Sequence, residues 1–291
     1  MKTILVPTDF SHNAHVALQY AARIVAQING KLILFHNATL QVSAAEVPVW
    51  QEPDPELVQL FEYRLKKEAE QINSEQEFNL EIETICRPGL LNQNINNLVR
   101  EKKVDLVIMG TKGANSWVTK FTGTMTAAYM KEAICPVLIV PPGAAYAVPQ
   151  QLAYAADFQN EEGVFLSQLL QITAPLKAAL TIVNVKSNQQ LHTITDDQIL
   201  DEINQQFPDN DFCFAGIREN NIAASLEAFV TENQMDVLAL ALRKRSFLGD
   251  LFHKSLTREL AFHATIPLLI LPETPYQPVK KTLVQREFRI G

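Results

Sequence analysis

Residues 136–141 read Pro-Val-Leu-Ile-Val-Pro, and residues 267–272 repeat this pattern as Pro-Leu-Leu-Ile-Leu-Pro. The stretch Asp-Leu-Val-Ile-Met-Gly that begins at Asp105 matches Asp-Val-Leu-Ala-Leu-Ala at Asp236, with the same offset of 131 positions. Two matches at one offset, with no gap between them, indicate an internal repeat. The chain is therefore expected to contain two copies of one structural unit.

Short apolar, β-branched runs alternate with helical patterns, which is typical of βαβ units and a parallel sheet. The fold class is therefore α/β, with two tandem Rossmann-like sandwiches that are each built on a five-stranded parallel sheet. The predicted strands are 2–8, 31–37, 79–86, 105–110 and 136–141 in the first copy, and 151–156, 178–185, 211–217, 236–241 and 267–272 in the second. The predicted helices of the first copy are 12–28, 55–74, 90–102 and 124–133.

The repeat divides the chain into a first domain at 1–142, a second at 150–273 and a C-terminal tail at 274–291. Ser11 is expected to cap the first helix, and Gly30 is expected to supply a left-handed residue after that helix ends. The tail alternates polar and apolar positions loosely, so it either adds an arm to a neighbouring surface or is disordered.

Composition argues against several classes of protein. The 32 acidic residues outnumber the 25 Lys and Arg, which disfavours a nucleic-acid partner. No apolar run is long enough to cross a bilayer, and Met1 leads directly into a strand-like run, so we expect a cytoplasmic protein without membrane contact. Cys86, Cys135 and Cys213 form no Cys-x-x-Cys pair and are expected to be small, buried apolar side chains.

The fourth strand of the first copy leads into Gly110-Thr-Lys-Gly113, and after nine more residues Gly123-Thr124 opens a helix. Ligands of open parallel sheets bind beyond the carboxyl ends of the strands, where a helix start presents free amides to a phosphate. On their own, these glycines are explained more simply by turn geometry than by a ligand. Asp9 also follows a strand, where its carboxylate can bind ribose hydroxyls or simply cap the next helix.

Three segments together resemble the universal stress protein family: Val-Pro-Thr-Asp-Phe-Ser at 6–11, the G-x2-G-x9-G-[S/T] spacing of 110–124, and Cys-Pro-Val-Leu-Ile-Val at 135–140. The resemblance covers nearly the whole chain as two copies and is strongest in the first. It implies a five-stranded α/β sandwich of the adenine nucleotide alpha hydrolase-like kind. It also implies that the closing strands of the two domains pair as an internal pseudo-dimer, with a homodimer as a further possibility.

Carried over by position, the resemblance implies a site for ATP or another adenine nucleotide, with or without Mg²⁺. Asp9 and Met109 would line the adenosine side next to Pro7 and Thr8, and Asn37 would lie near adenine. Asn37 stands where an apolar residue is expected, which is harmless if only its backbone contacts the base and otherwise puts the base preference in question. The phosphates would be surrounded by Gly110, Lys112, Gly113, Gly123, Thr124, Met125 and Thr126.

The second copy departs from this pattern. Ala241 stands opposite Gly110, Lys244 opposite Gly113, and Lys254-Ser255 opposite Gly123-Thr124. Side chains at these places obstruct a phosphate, and positive φ costs a non-glycine residue about 1–2 kcal/mol. Nucleotide is therefore expected in the first domain only. Asp157, the counterpart of Asp9, is interpreted as a cap, and the basic stretch 243–254 as a solvated loop or a site for a different anion.

No established catalytic motif is present, and no catalytic or metal-binding residue is predicted. His12 and His15 have metal-compatible spacing, but an ordinary helix face explains them without a third ligand. The leading hypothesis is a stress or regulatory module in which ATP changes the affinity for an unidentified protein partner. The alternatives are a slow ATPase or phosphoryl-transfer protein using Thr124 or Thr126 and Mg²⁺, and a scaffold that binds no nucleotide.

Overall fold

A computed structural model describes most of the chain, including all ten predicted strands. The described residues are 1–38, 54–76, 78–111, 125–144, 147–156, 158, 162–186, 195–219, 221–242 and 266–276.

The strands form one ten-stranded sheet in the order β3-β2-β1-β4-β5-β10-β9-β6-β7-β8. Each half contributes five strands that pair in parallel, and the two halves meet where β5 and β10 pair antiparallel, with Leu269 opposite Leu138. The α/β fold class predicted from the repeat is confirmed. The strands are β1 Thr3–Pro7, β2 Lys31–Ala38, β3 Ile82–Pro88, β4 Leu106–Gly110, β5 Val137–Val140, β6 Gln151–Ala156, β7 Ala179–Lys186, β8 Cys213–Arg218, β9 Val237–Leu242 and β10 Leu268–Pro272.

The helices begin and end close to the predicted positions. Helix α1 shows why, because Ala14, Ala17, Leu18, Ala21 and Val25 recur at helical spacing and are all buried. The described helices are α1 His12–Ile28, α2 Pro55–Glu75, α3 Leu91–Lys102, α4 Met125–Glu132, α5 Gly163–Leu176, α6 Asp196–Gln206 and α7 Ile222–Glu232. None of them is long and apolar enough to span a membrane.

The helices cover both faces of the sheet, because alternate residues of each strand point to opposite sides. In the N-terminal half, Ile4 and Val6 pack with residues of α1 and α2, on what we call the α1–α2 face. Leu5 packs with residues of α3 and α4, on what we call the α3–α4 face. The two faces present different residues at the carboxyl edge of the sheet.

The end of α1 differs from the sequence expectation. Ser11 does cap the helix, since its side chain accepts a hydrogen bond from the Ala14 amide. The left-handed residue at the other end is Asn29, with φ 50°, and not Gly30. Gly30 is needed for another reason: a Cβ there would lie 2.8 Å from the carbonyl oxygen of Lys2. Asparagine tolerates the left-handed conformation better than most residues do. The prediction that Gly30 is the left-handed residue was therefore wrong, because Asn29 already takes that conformation.

The cysteine expectation also needs correction. Cys135 is buried, Cys86 is half-buried, and Cys213 is exposed. Cys213 is the first residue of β8, which lies at the edge of the sheet.

The repeat extends to backbone conformation. Phe10 follows β1 with φ 61°, and Phe158 follows β6 with φ 49°. Positive φ is uncommon for a bulky residue. The two residues occupy matching places in the alignment that sets Asp9 opposite Asp157. The same unusual turn is therefore built in both halves.

The start of the predicted tail contacts the N-terminal half. The Tyr276 amide donates a hydrogen bond to the Ile134 carbonyl, with an N–O distance of 2.6 Å. The rest of the tail lies outside the described residues.

Candidate nucleotide-binding site

The candidate site lies where the chain reverses its direction across the sheet. Strand β1 is flanked by β2 on one side and by β4 on the other, with Leu5 opposite Val107 in the β1–β4 pair. Connections from β1 and from β4 therefore lead to opposite sides of this point, which makes it a topological switch point. Extending the register brings Pro7 level with Met109, so the segments that follow both strands begin side by side.

Three of the predicted site residues share the α3–α4 face. Met109 is buried in that core, and Pro7 and Asn37 each stand two residues beyond a strand residue of the same core, Leu5 and Phe35. These are the residues that the family resemblance assigns to the adenosine side. The structure places them on one face at one edge of the sheet.

Asp9 stands at this edge and is exposed. Its Oδ1 accepts a hydrogen bond from the Ser11 amide at 3.0 Å, so the carboxylate shapes the turn while Ser11 caps the helix. Within the described part of the chain, no hydrogen bond is made by the second carboxylate oxygen. Asp9 therefore combines a structural role with one acceptor that faces solvent.

Gly110 and Thr126 meet across the loop that separates them in sequence. The Thr126 hydroxyl lies 3.5 Å from the Gly110 carbonyl oxygen, at the limit of a hydrogen bond. Gly110 ends β4, and Met125 begins α4. The start of α4 is thus held over the end of β4.

The glycine at 110 has a packing reason of its own. A Cβ at this position would lie 2.1 Å from the Asn13 carbonyl oxygen and 2.5 Å from its carbon, both main-chain atoms of the first turn of α1. Gly110 stands two residues after Ile108 and therefore faces the same α1–α2 side of the sheet. Because Gly110 has no side chain, α1 can approach the sheet closely at this point. In the second half, Ala241 at the matching position is buried and carries a Cβ.

Asn37 is already engaged inside the protein. Its Nδ2 donates to the Gly89 carbonyl at 2.8 Å, and its Oδ1 accepts from Asn94 Nδ2 at 2.8 Å. Asn94 also donates to the Pro88 carbonyl at 2.9 Å. The Asn37 side chain therefore ties β2 to the turn that follows β3.

The side chain of Thr8 points to the opposite face from Pro7. The Thr8 hydroxyl donates to Glu68 Oε2 at 3.3 Å, and its main-chain amide donates to the Phe35 carbonyl at 2.8 Å. Its carbonyl lies 2.8 Å from His36 Nδ1, and because a carbonyl only accepts, Nδ1 carries the proton. All three polar groups of Thr8 are used within the fold.

His36 belongs to an aromatic cluster on the α1–α2 face. Its ring centroid lies 4.6 Å from that of Phe10 and 4.3 Å from that of Phe61. Burial lowers the pKa of His36, and the positive charge of Arg64 lowers it further, while the bond to Thr8 opposes both effects. A neutral imidazole with its proton on Nδ1 fits this arrangement.

Several predicted residues lie outside the described part of the chain. Among them are Asp157, the counterpart of Asp9, and the side chain of Met125. The other seven belong to the stretches that follow β4 and β9: Lys112, Gly113, Gly123, Thr124, Lys244, Lys254 and Ser255. Over the part of the chain that the structure describes, no cluster of three or more His, Cys, Asp or Glu side chains could hold a metal ion.

Sequence reasoning missed Glu68, which lies beneath Thr8. Its side chain is held by Thr8 and lies 3.7 Å from His15 Nδ1. A signal was present, because Leu65, Glu68 and Ile72 occupy one buried stripe of α2. A carboxylate on such a stripe has to find polar partners inside the protein.

Taken together, the fold is that of a doubly wound α/β protein with its candidate site at a topological switch point. The sequence model of the universal stress protein family matches residues 1–141. A universal stress protein of Synechocystis sp. is 29% identical over 140 residues, which are 48% of this chain and 85% of that protein. Another, of Methanocaldococcus jannaschii, is 26% identical over 153 residues, 48% of this chain and 94% of that protein.

The likeness of fold extends over both halves. A crystal structure of a universal stress protein from Archaeoglobus fulgidus covers 93% of this chain and 98% of its own, with a TM-score of 0.70 and 13% sequence identity. The N-terminal half of the chain, residues 1–141, thus matches the universal stress protein family in sequence, and the likeness in fold covers both halves.

Proposed function

We propose that the N-terminal half binds ATP or another adenine nucleotide at the carboxyl ends of β1 and β4. The observation that carries this proposal is the switch point itself, where Asp9 stands beside the end of β4. The motif from Gly110 to Thr124 begins at that same point. A binding site in this position needs hydrogen-bond acceptors for ribose and donors for phosphate.

The residues at the edge suit the two ends of a nucleotide. Pro7 and Met109 provide an apolar surface on the α3–α4 face, and the free oxygen of Asp9 can accept from a ribose hydroxyl. Thr126, at the start of α4, offers a hydroxyl on the side where the phosphates would lie. Asn37 would contact the base through its backbone, because its side chain is held by Gly89 and Asn94. Mg²⁺, if it takes part, would arrive with the phosphates.

Binding is proposed for the N-terminal half only. The second half keeps the sheet but replaces the glycines at 110, 113 and 123 by Ala241, Lys244 and Lys254. Long side chains at two of these positions would occupy the space of a phosphate. In this proposal the second half packs against the first through β5 and β10 and contributes surface for a protein partner.

The role proposed for the nucleotide is regulatory. ATP would bind without being hydrolysed and would change the affinity for a protein partner in a stress response. The size of that change is set by the difference between the affinities of ATP for the two conformations of the protein. An ATP turnover assay separates this role from that of a slow ATPase. Sustained phosphate release that is lost on removing the hydroxyl of Thr126 would establish the enzyme instead.

The binding proposal is tested by extracting the purified protein and identifying any nucleotide by mass spectrometry, followed by calorimetric titration with ATP. Gly113→Lys, which introduces the residue found at the matching place in the second half, is expected to abolish ATP binding and leave the circular dichroism spectrum unchanged. Lys244→Gly is the matched control and should bind ATP as the parent does. Equal affinity of the parent and Gly113→Lys would overturn the assignment.

A further inference from the structure

A cavity of about 400 Å³ lies between the start of α1 and the middle of α2, on the α1–α2 face. It is therefore on the opposite side of the sheet from Pro7, Asn37 and Met109. We call it the α1–α2 groove and define it by the residues that matter here: Phe10, His12, His15, Tyr63, Arg64 and Lys67. Its volume lies within the range of about 300–1,000 Å³ that is usual for small-molecule sites.

The groove carries positive charge on a chain whose formal net charge is −7. Arg64 and Lys67 line it, and the first turn of α1, which also lines it, holds no acidic residue. Glu68 is the carboxylate among the residues that line the groove, and its oxygens are turned toward the Thr8 hydroxyl and His15 Nδ1. Burial raises the pKa of Glu68. An anion in the groove would therefore meet more attraction than repulsion.

Arg64 is held in a geometry suited to binding such an anion. Its Cζ lies 4.0 Å from the centroid of the Phe10 ring, so the guanidinium is stacked on an aromatic face. The Phe10 ring is itself supported by Phe61, at a centroid distance of 6.1 Å, and by His36. Among the described residues, no carboxylate or carbonyl accepts a hydrogen bond from Arg64. Its donor edge is therefore available for a bidentate contact.

Two other basic side chains of the groove, Lys67 and His15, already have partners. Lys67 Nζ lies 2.7 Å from Glu70 Oε2. Both side chains are exposed, so this ion pair contributes little free energy and Lys67 can leave it to bind another anion. His15 is bound between two carboxylates, with Nε2 3.1 Å from Glu75 Oε2 and Nδ1 3.7 Å from Glu68 Oε1. Arg64 is thus the residue best placed to bind a ligand, and His15 forms part of the wall.

The groove also has an aromatic side. Phe10 is partly buried, and Tyr63 is 59% exposed, with Lys67 Nζ 5.7 Å from the centroid of its ring. A ligand that filled the groove would bury these rings while its charged group reached Arg64. The arrangement favours a molecule with a flat apolar body and one anionic group.

We propose that the α1–α2 groove is a second ligand site, which takes a small aromatic anion through a bidentate contact with Arg64 and apolar contact with Phe10 and Tyr63. The anionic group is a phosphate or a carboxylate, both of which match the guanidinium fork. The ligand would lie on the α1–α2 face, whereas Pro7, Asn37 and Met109 of the proposed nucleotide site lie on the α3–α4 face. Asp9, which precedes Phe10, adjoins both sites.

The test is calorimetric titration of the full chain with phenyl phosphate, with benzoate as the carboxylate arm and inorganic phosphate as the arm without a ring. Phenyl phosphate or benzoate is expected to bind saturably with one site per chain, and inorganic phosphate to bind more weakly. Arg64→Gln should weaken binding by about tenfold or more, because a charge-assisted bidentate contact is lost. Arg64→Lys keeps the charge but loses the stacked fork, so its affinity should fall between those of the parent and Arg64→Gln.

Two controls locate the site. Arg100→Gln removes the same charge from α3, on the other face, and should leave the affinity unchanged. Gly113→Lys should also leave phenyl phosphate binding unchanged, whereas it is expected to abolish ATP binding. Loss of phenyl phosphate binding in Gly113→Lys would place the ligand at the glycine loop and overturn the proposal. Absence of saturable binding by either aromatic anion, or equal affinity in Arg64→Gln, would overturn it as well.

Discussion

Gly110 lies so close to Asn13 that a Cβ on Gly110 would stand 2.1 Å from the Asn13 carbonyl oxygen. The contact joins the end of β4 to the first turn of α1, and main-chain atoms cannot rotate away as a flexible side chain can. The first glycine of the motif is therefore required by packing, whatever it also does for a phosphate. A variant at this position would not distinguish the two roles, whereas a variant at Gly113 is suited to test the ligand.

The packing role predicts that Gly110→Ala destabilises the protein. The added methyl group has to displace the start of α1, which we expect to lower the free energy of unfolding by about 1–3 kcal/mol. Urea unfolding followed by circular dichroism measures this change. Ala241→Gly is the matched variant in the second half, where a Cβ is already accommodated, and it should cost only about 0.5–1 kcal/mol. Unfolding of Gly110→Ala at the parent's urea concentration would contradict the close contact.

The bonds of Asn37 predict separate effects on stability and on ligand binding. Asn37→Val removes the hydrogen bonds to Gly89 and Asn94, so we expect a loss of about 1–3 kcal/mol in the free energy of unfolding. If Asn37 contacts the base through its backbone, the affinity for ATP should stay within about twofold of the parent's. The loss of one hydrogen bond to the ligand would lower the affinity by more than that. Asn94→Ala is the companion variant, with a similar loss of stability. A large loss of ATP affinity in Asn37→Val alone would show that the side chain reads the base.

The burial of Glu68 predicts that its contribution to the free energy of unfolding depends on pH. Burial raises its pKa from the ordinary value of 4.5, so the folded protein holds this proton more tightly than the unfolded chain does. The stabilisation is fully present below the ordinary value and is lost as the pH rises through the raised one. Glu68→Gln cannot ionise, so its stability relative to the parent should be higher at about pH 7 than at about pH 4.

Urea unfolding at both pH values measures this difference. Glu62→Gln, which changes an exposed carboxylate of the same helix, is measured alongside as the surface control. A Glu68→Gln variant whose relative stability falls with rising pH would show that the charged form is the one the fold favours.

The three cysteines are predicted to react with iodoacetamide at different rates. Cys213 is exposed and should be alkylated first, and Cys86 more slowly because it is half-buried and burial raises its pKa. Burial raises the pKa of Cys135 to about 12, so it should react only after unfolding. Peptide mass spectrometry over time measures the order, and the unfolded protein in guanidinium serves as the control. Alkylation of Cys135 as fast as Cys213 in the folded protein would contradict its burial.

The elements could be predicted from the sequence because their signals are local. The apolar runs bounded by proline at 136–141 and 267–272 contain β5 and β10, and the spacing of Ala14, Leu18, Ala21 and Val25 predicts α1. The Ser11 cap follows in the same way, since a hydroxyl two or three residues before an amide can reach it without the rest of the protein.

The left-handed turn after α1 shows where local signals end. Glycine is the usual residue for positive φ, but Asn29 takes that conformation, and Gly30 is there because the Lys2 carbonyl lies beside it. The approach of Lys2 depends on the pairing of β1 with β2, which no window of sequence around residue 30 contains.

By itself, the sequence determined the repeat, the order of strands and helices, and the place of the glycine motif after β4, because each is written in neighbouring residues or in self-similarity. Only the tertiary structure decided that the Thr8 side chain points toward Glu68, on the opposite face from Pro7. The same is true of the close contact between Gly110 and the main chain of Asn13, and of the stacking of Arg64 on Phe10. Each of these is a contact between residues far apart in the chain. Such contacts form only when the sheet pairs and the helices pack on its two faces, which depends on the whole domain.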